Sequence, residues 1–263
     1  MSVKVKPDIC TGCETCVSIC PFGAIEMRDG KAFITEACTL CGACVDACEF
    51  KAIEKDIEQA GPAKDLSAFK GVWVFAEQNK GEIASVSLEL LGEGRKLADT
   101  RGSSLSAVFI GSGIKDKAKD LIAYGADTVY VADDPVLKDF NDDSYAAVLT
   151  MLATQHKPEI ILAGATAIGR SFFPKVASTL YTGLTADCTV LDIDTATGHL
   201  HQTRPAFGGN IMATIVTPNH RPQMATVRHK VMKPAQRNEA RKGEVVDVKF
   251  TQAGTVRTKV LKT

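Results

Sequence analysis

Cys10–Pro21 reads CTGCETCVSICP, and Cys38–Glu49 reads CTLCGACVDACE. Both follow C-x2-C-x2-C-x3-C, and each cysteine of the second run lies 28 residues after its counterpart in the first (38 − 10 = 28, 48 − 20 = 28). The unit is therefore an internal duplication. Of the 9 cysteines in the chain, only Cys188 falls outside it. Such dense, regular spacing is that of metal-ligating thiolates rather than of a disulfide scaffold. A four-thiolate zinc site usually brings two C-x2–4-C knuckles per ion, whereas three thiolates two residues apart wrap one face of a cubane and leave the fourth pointing away. The stretch between the runs, AIEMRDGKAFI, reads as a hairpin closed near Asp29-Gly30.

This duplicated unit resembles the bacterial two-cluster ferredoxins, which exchange one ligand between halves. The resemblance implies one [4Fe–4S] cluster on Cys10, Cys13, Cys16 and Cys48, and a second on Cys38, Cys41, Cys44 and Cys20. Gly12 and Gly42 suit loops in which backbone approaches sulfur and φ turns positive. Glu49 stands where the first run has Pro21, a departure that touches only the local turn.

Beyond the cysteines the chain changes character. EKDIEQAGPAKDLSAFK, from residue 54 to 70, is polar and broken by Gly-Pro, and reads as a helical end running into a linker. GVWVFAE, SLSAVFIG, TVYVAD and EIILAGA then read as strands, separated by the helix-period stretches EIASVSLELLGEGRKLAD, KDKAKDLIAYG and DDSYAAVLTMLATQHK. Alternation of this kind predicts a parallel sheet covered on both faces. After about residue 186, DCTVLDID, HLHQTRPAF, NIMATIV and PQMATVR predict strands added at one edge or folded over it. The fold class is thus α/β: an N-terminal two-cluster ferredoxin domain (1–57, α+β), a linker (58–69) and a Rossmann-like parallel-sheet domain with a β-rich extension (70–250).

With 263 residues there is length for a real core, and 31 basic against 31 acidic residues leave no net field to attract nucleic acid or an acidic membrane. The N-terminus lacks the charged and apolar regions of a signal peptide, and the apolar runs are strand-sized, so a cytoplasmic location away from membranes is expected. GATAIGRS (164–171) nearly matches a phosphate-binding loop, but Arg170 replaces the lysine. It reads as a helix start, against the alternative of a ferredoxin-fused nucleotide hydrolase. GSG (111–113) ends a strand, His199 and His201 share a strand face without a third metal ligand, and Cys188 reads as a small buried hydrophobe.

GRSFFPKVASTLYTGLTADCTVLDI, TRPAFGGNIMATIV and RPQMATVR, in that order, resemble the α subunit of electron transfer flavoproteins, from about residue 70 onward. The ferredoxin unit ahead of them resembles the variant found in electron-bifurcating assemblies. The resemblance implies a heterodimer with a β subunit and an FAD at the interface. Arg204, of the TRPA motif, would approach the N5/O4 edge of the isoalloxazine, with Gly208, Gly209 and Asn210 nearby. Arg170 and Lys175 match the family pattern without an assigned role. The family's α subunit continues into a domain that binds a second, shuttling FAD; residues 251–263 read as the start of that connection, and the residues holding this second FAD are expected outside the sequence. The function implied is electron relay, without substrate chemistry of its own, between FAD and soluble ferredoxin. The complex would couple NADH to reduction of an enoyl- or acyl-CoA-type substrate through an acyl-CoA dehydrogenase-like partner. A lactate dehydrogenase partner and a non-bifurcating flavoprotein are the alternatives.

Overall fold

The computed structural model describes residues 2–38, 42–56 and 65–250, in two compact units, residues 1–64 and 65–263. Cys41 of the second cysteine run, most of the linker and residues 251–263 lie outside the described residues.

In the first unit, β1 (Ser2–Val5), α1 (Thr15–Ile19), β2 (Ile25–Arg28), β3 (Lys31–Ile34), α2 (Ala43–Asp46) and β4 (Ile53–Asp56) form two antiparallel pairs, β1 with β4 and β2 with β3. The β2–β3 hairpin closes at Asp29 (φ 50°) and Gly30 (φ 74°), two successive left-handed residues of the kind a tight two-residue turn requires. β4 corrects the helical reading at residues 54–56: Ile53 is buried opposite Val5, and cross-strand pairing outweighs the local charge pattern. The small core holds Val3, Ile25, Ala32 and Ile53 together with the Cys16 and Cys44 thiols.

The second unit is built on a seven-stranded sheet. Its strands are β5 (Val72–Ala76), β8 (Leu105–Gly111), β9 (Thr128–Asp133), β10 (Ile160–Gly164), β11 (Leu184–Cys188), β15 (Gln223–Val227) and β16 (Glu244–Asp247), in the order β11-β15-β10-β5-β8-β9-β16. All neighbours are parallel. Alternation along β5 sends Val72, Val74 and Ala76 to one face and Trp73 and Phe75 to the other, and both faces are buried. The first face packs under α3 (Ser85–Thr100) and α4 (Ala118–Ala123), the second under α5 (Asp142–His156) and α6 (Ala167–Thr179). The short strands β6 (Gln78–Asn79) and β7 (Glu82–Ile83) form a hairpin after β5.

The β-rich extension divides in two. β11 and β15 join the parallel sheet, while β12 (Val190–Ile193), β13 (Leu200–Ala206) and β14 (Ile211–Ile215) form a separate antiparallel sheet. That sheet is anchored to the α3 side of the core by Leu191, Ile193 and Leu200. β16, which no strand pattern announced, lies at the opposite edge beside β9.

Candidate functional site

The duplication is visible in the backbone as well as in the cysteines. Ala24 N–H donates to Cys20 Sγ and Ala52 N–H to Cys48 Sγ, both at 3.3 Å and 28 residues apart. Left-handed residues recur at the same offset: Glu14 (φ 61°) matches Gly42 (φ 89°) at the helix starts, and Gly23 (φ 59°) matches Lys51 (φ 52°). Gly42 thus has Glu14 as its counterpart, whereas Gly12 (φ 75°) is glycine for a different reason: a Cβ there would strike the Gly30 carbonyl oxygen.

Two cavities sort the cysteines. Cys10, Cys13, Cys16 and Cys48 line one, with Glu14, Met27 and Phe50; Cys20, Cys38 and Cys44 line the other, with Val3, Pro21 and Phe22. No disulfide joins the described cysteines. Among the described residues no three His, Cys, Asp or Glu side chains converge on a point where one metal ion would sit. The thiols instead ring a volume with apolar walls and N–H donors directed at sulfur, an arrangement that fits a polynuclear thiolate-held cluster. The side-chain and main-chain hydrogen bonds of Thr15 hold the exposed Cys13 thiol below its ordinary value, and burial pushes Cys16 up.

In the second unit, polar groups gather at the C-terminal ends of β11 and β15. Asp187 sits in a bulge of β11 with φ 63°, and Arg228, just past β15, grips its carboxylate through Nε at 3.1 Å and Nη2 at 2.7 Å. The hydrogen bonds from Arg228 hold the Asp187 carboxyl below its usual range, and the charges of Arg228, Arg170 and Arg204 add to the effect. Arg228 alone pairs with this carboxylate, and Arg170 and Arg204 bring further positive charge into its neighbourhood. Arg204 lies on β13 opposite Ala213, and its Nε is buried without a hydrogen-bond partner among the described residues. A donor withheld from water in this way is costly until an acceptor meets it. Beside it Cys188 is buried, as its apolar setting suggested, and burial pushes its thiol up to about 12.

Beyond Arg204 the chain turns at Phe207–Gly209 and returns along β14. Gly208 (φ 69°) and Gly209 (φ 95°) need glycine for their backbone conformation, and among the described residues nothing beyond their chain neighbours comes within 4 Å of a Cβ built on either. Asn210 is exposed beside them. The ribbon is apolar and open: Ile211 and Met212 are each 53% exposed, and Val190, Ile215 and Val216 are exposed too. A buried Arg donor, an open glycine turn and uncovered aliphatic residues fit an anionic, planar group such as a flavin held jointly with another chain.

GATAIGRS does not form a phosphate cradle. Thr166 caps α6 by accepting from Gly169 N–H at 3.1 Å, and its hydroxyl donates to the Glu77 carboxylate at 2.5 Å. A Cβ on Gly169 would run into the Gly164 carbonyl, so the glycines serve strand–helix packing. Glu77 follows β5, next to β10, where the strand order reverses and open α/β sheets ordinarily take ligands. Its carboxylate at a helix start disfavours phosphate there. Lys175 pairs with Asp143, and His201 approaches Asp194 at 3.9 Å. Asp187 and Arg228 escaped the sequence reading because 41 residues separate them.

The molecule is therefore an α/β domain of electron-transfer type, preceded by a unit that matches the 4Fe-4S dicluster domain over residues 9–53. Residues 72–253 match the electron transfer flavoprotein domain, and the chain belongs to that family. It is 52% identical over 198 residues to an electron transfer flavoprotein subunit alpha of Thermoanaerobacterium thermosaccharolyticum, covering 74% of this chain and 59% of that one. A subunit alpha of Clostridium acetobutylicum matches with the same identity and coverage. The acryloyl-CoA reductase electron transfer subunit beta of Anaerotignum propionicum is 46% identical over 194 residues, covering 65% of this chain and 53% of that one. The chain thus spans less than two thirds of these relatives. Among the described residues no helix is long and apolar enough to cross a membrane.

Proposed function

We propose that this chain is the electron-relaying α subunit of a flavin-based electron-bifurcating complex. Cys10, Cys13, Cys16 and Cys48 would hold one [4Fe–4S] cluster, and Cys38, Cys41, Cys44 and Cys20 the other. Arg204 would meet an FAD shared with a β subunit. When bound, the flavin supplies the step between two-electron and one-electron chemistry, and the clusters supply one-electron carriage to an external ferredoxin.

The chain's own residues position and tune. The buried Arg204 Nε is the observation that supports the flavin assignment: it has no acceptor among the described residues and lies beside the open Gly208-Gly209 turn. Asp187 and Arg228 fix the neighbouring charge, and the Gly208-Gly209 turn leaves room for a second molecule. The exposed face of β14 is where the β subunit would close over the flavin. An acyl-CoA dehydrogenase-like protein is the preferred further partner, in keeping with the relative named as an acryloyl-CoA reductase subunit. NADH and the organic substrate would be handled by those partners, in the cytoplasm.

The test is the anaerobically purified complex with Arg204→Ala. Flavin retention should weaken or its potential fall, because a fixed positive charge no longer favours the reduced, more negative state; iron content should stay unchanged. Unaltered flavin potential and occupancy would remove Arg204 from the site. Ordinary, uncrossed flavin potentials in the wild type would reduce the reading to simple electron transfer.

A further inference from the structure

We propose that Phe22 and Phe50 are paired water shields, each closing the cavity of the opposite half's cysteine run and holding that cluster's reduction potential low. The proposal rests on the crossed two-cluster reading above.

The two rings occupy equivalent positions: Phe22 follows Cys20 by two residues, Phe50 follows Cys48 by two, and 50 − 22 = 28. Their immediate neighbours differ, Pro21 against Glu49 and Gly23 against Lys51, whereas Ala24 and Ile25 recur as Ala52 and Ile53, buried in the cavity walls; the rings are the matched apolar side chains that stand part-exposed. Both rings stand half in water, at 53% and 46% exposure, where an aromatic side chain adds little to the core of a small unit. Their placement is crossed. Phe22 lines the cavity of Cys38 and Cys44, and Phe50 lines the cavity of Cys10, Cys13 and Cys16. Each ring thus belongs to the half that would give one thiolate and stands over the half that would give three.

Adding an electron to a thiolate-held cluster increases its negative charge, and water favours the more highly charged state. An apolar ring at the mouth displaces that water and so disfavours reduction. It also keeps oxygen and solvent from the sulfurs. The mouths differ in one further respect: Glu14 lines the first cavity, while Gly42 stands at the equivalent place in the second.

The experiment uses the full chain with its β subunit, purified anaerobically, carrying Phe22→Ala or Phe50→Ala. Each cluster is followed by EPR-monitored redox titration and by its rate of loss in air. Cys10→Ser and Cys38→Ser mark which signal belongs to which run. Phe50→Ala should raise the potential of the Cys10-marked cluster and speed its loss in air several-fold, leaving the Cys38-marked cluster alone. Phe22→Ala should do the converse, and Phe→Leu at either position should stay close to wild type. If an alanine variant fails to fold, Phe→Gln, which keeps length but admits water, should give the same upward shift. Potentials and air lifetimes unchanged in all variants would overturn the shield, as would Leu variants behaving like Ala. Failure of the ligand exchange is separately visible, because Cys48→Ala would then perturb the Cys38-marked signal instead of the Cys10-marked one.

Discussion

Among the described residues of the N-terminal unit the buried apolar side chains are few and small, Val3, Ala24, Ile25, Ala32, Ala52 and Ile53, with the Cys16 and Cys44 thiols buried beside them. The second unit buries Phe75, Phe109, Phe172 and Phe173 on two faces of a parallel sheet. A domain as small as the first rarely holds itself together by apolar burial alone, and metal binding commonly makes up the difference. The second needs nothing of the kind. The contrast separates two kinds of pattern within one sequence: in the first unit the regularly spaced cysteines supply part of the core, and in the second the core is a scaffold beneath polar groups at its edge.

The largest effect should come from taking the metal away. Chelation of iron under reducing conditions should unfold the first unit entirely, as loss of its protease resistance and hydrogen-exchange protection, while the thermal transition of the second unit stays where it was. Persistent protection of residues 2–56 without iron would erase the contrast. A deletion in the other core sharpens it from the opposite side. Phe172 is fully buried and meets Phe75 edge-on at 4.9 Å, so Phe172→Ala should cost the second unit about 3–5 kcal/mol by denaturant unfolding and leave the cluster EPR unchanged.

A smaller effect concerns Glu77, whose carboxyl burial pushes up from 4.5 while the Thr166 hydroxyl partly offsets the shift. A carboxyl that binds its proton more tightly when folded makes stability fall as pH rises through the interval above 4.5. Glu77→Gln keeps an acceptor for Thr166 and removes the charge. It should therefore stabilise the second unit modestly at pH 7, with the advantage shrinking as pH falls toward the ordinary glutamate range. A constant difference between pH 7 and pH 5 would contradict this.

Legibility in the sequence followed the same division. The duplicated cysteine runs stand out because their spacing is local, and the two cavities gather the described members of each expected set. The parallel sheet was readable from alternating strand and helix periods. β4 and β16 were not, since four-residue strands rich in charge gain their structure from partners far away, Val5 and Val129 among them. Glu14 in a left-handed conformation was hidden, because the 28-residue offset pairs it with Gly42 but a non-glycine side chain does not announce a positive φ. Arg204 was singled out by its motif, but its surroundings, Asp187, Arg228 and Arg170, come together only when β11, β15 and α6 meet at one edge. That Gly208 and Gly209 face open space could be learned only from the folded chain.

The most direct measurement is native mass spectrometry of this chain co-expressed with a β subunit and kept free of oxygen. A heterodimer carrying two [4Fe–4S] clusters and an FAD that is lost when the subunits are separated is the expected result. A heterodimer without flavin, or a chain holding single metal ions in place of clusters, would contradict the electron-relay assignment.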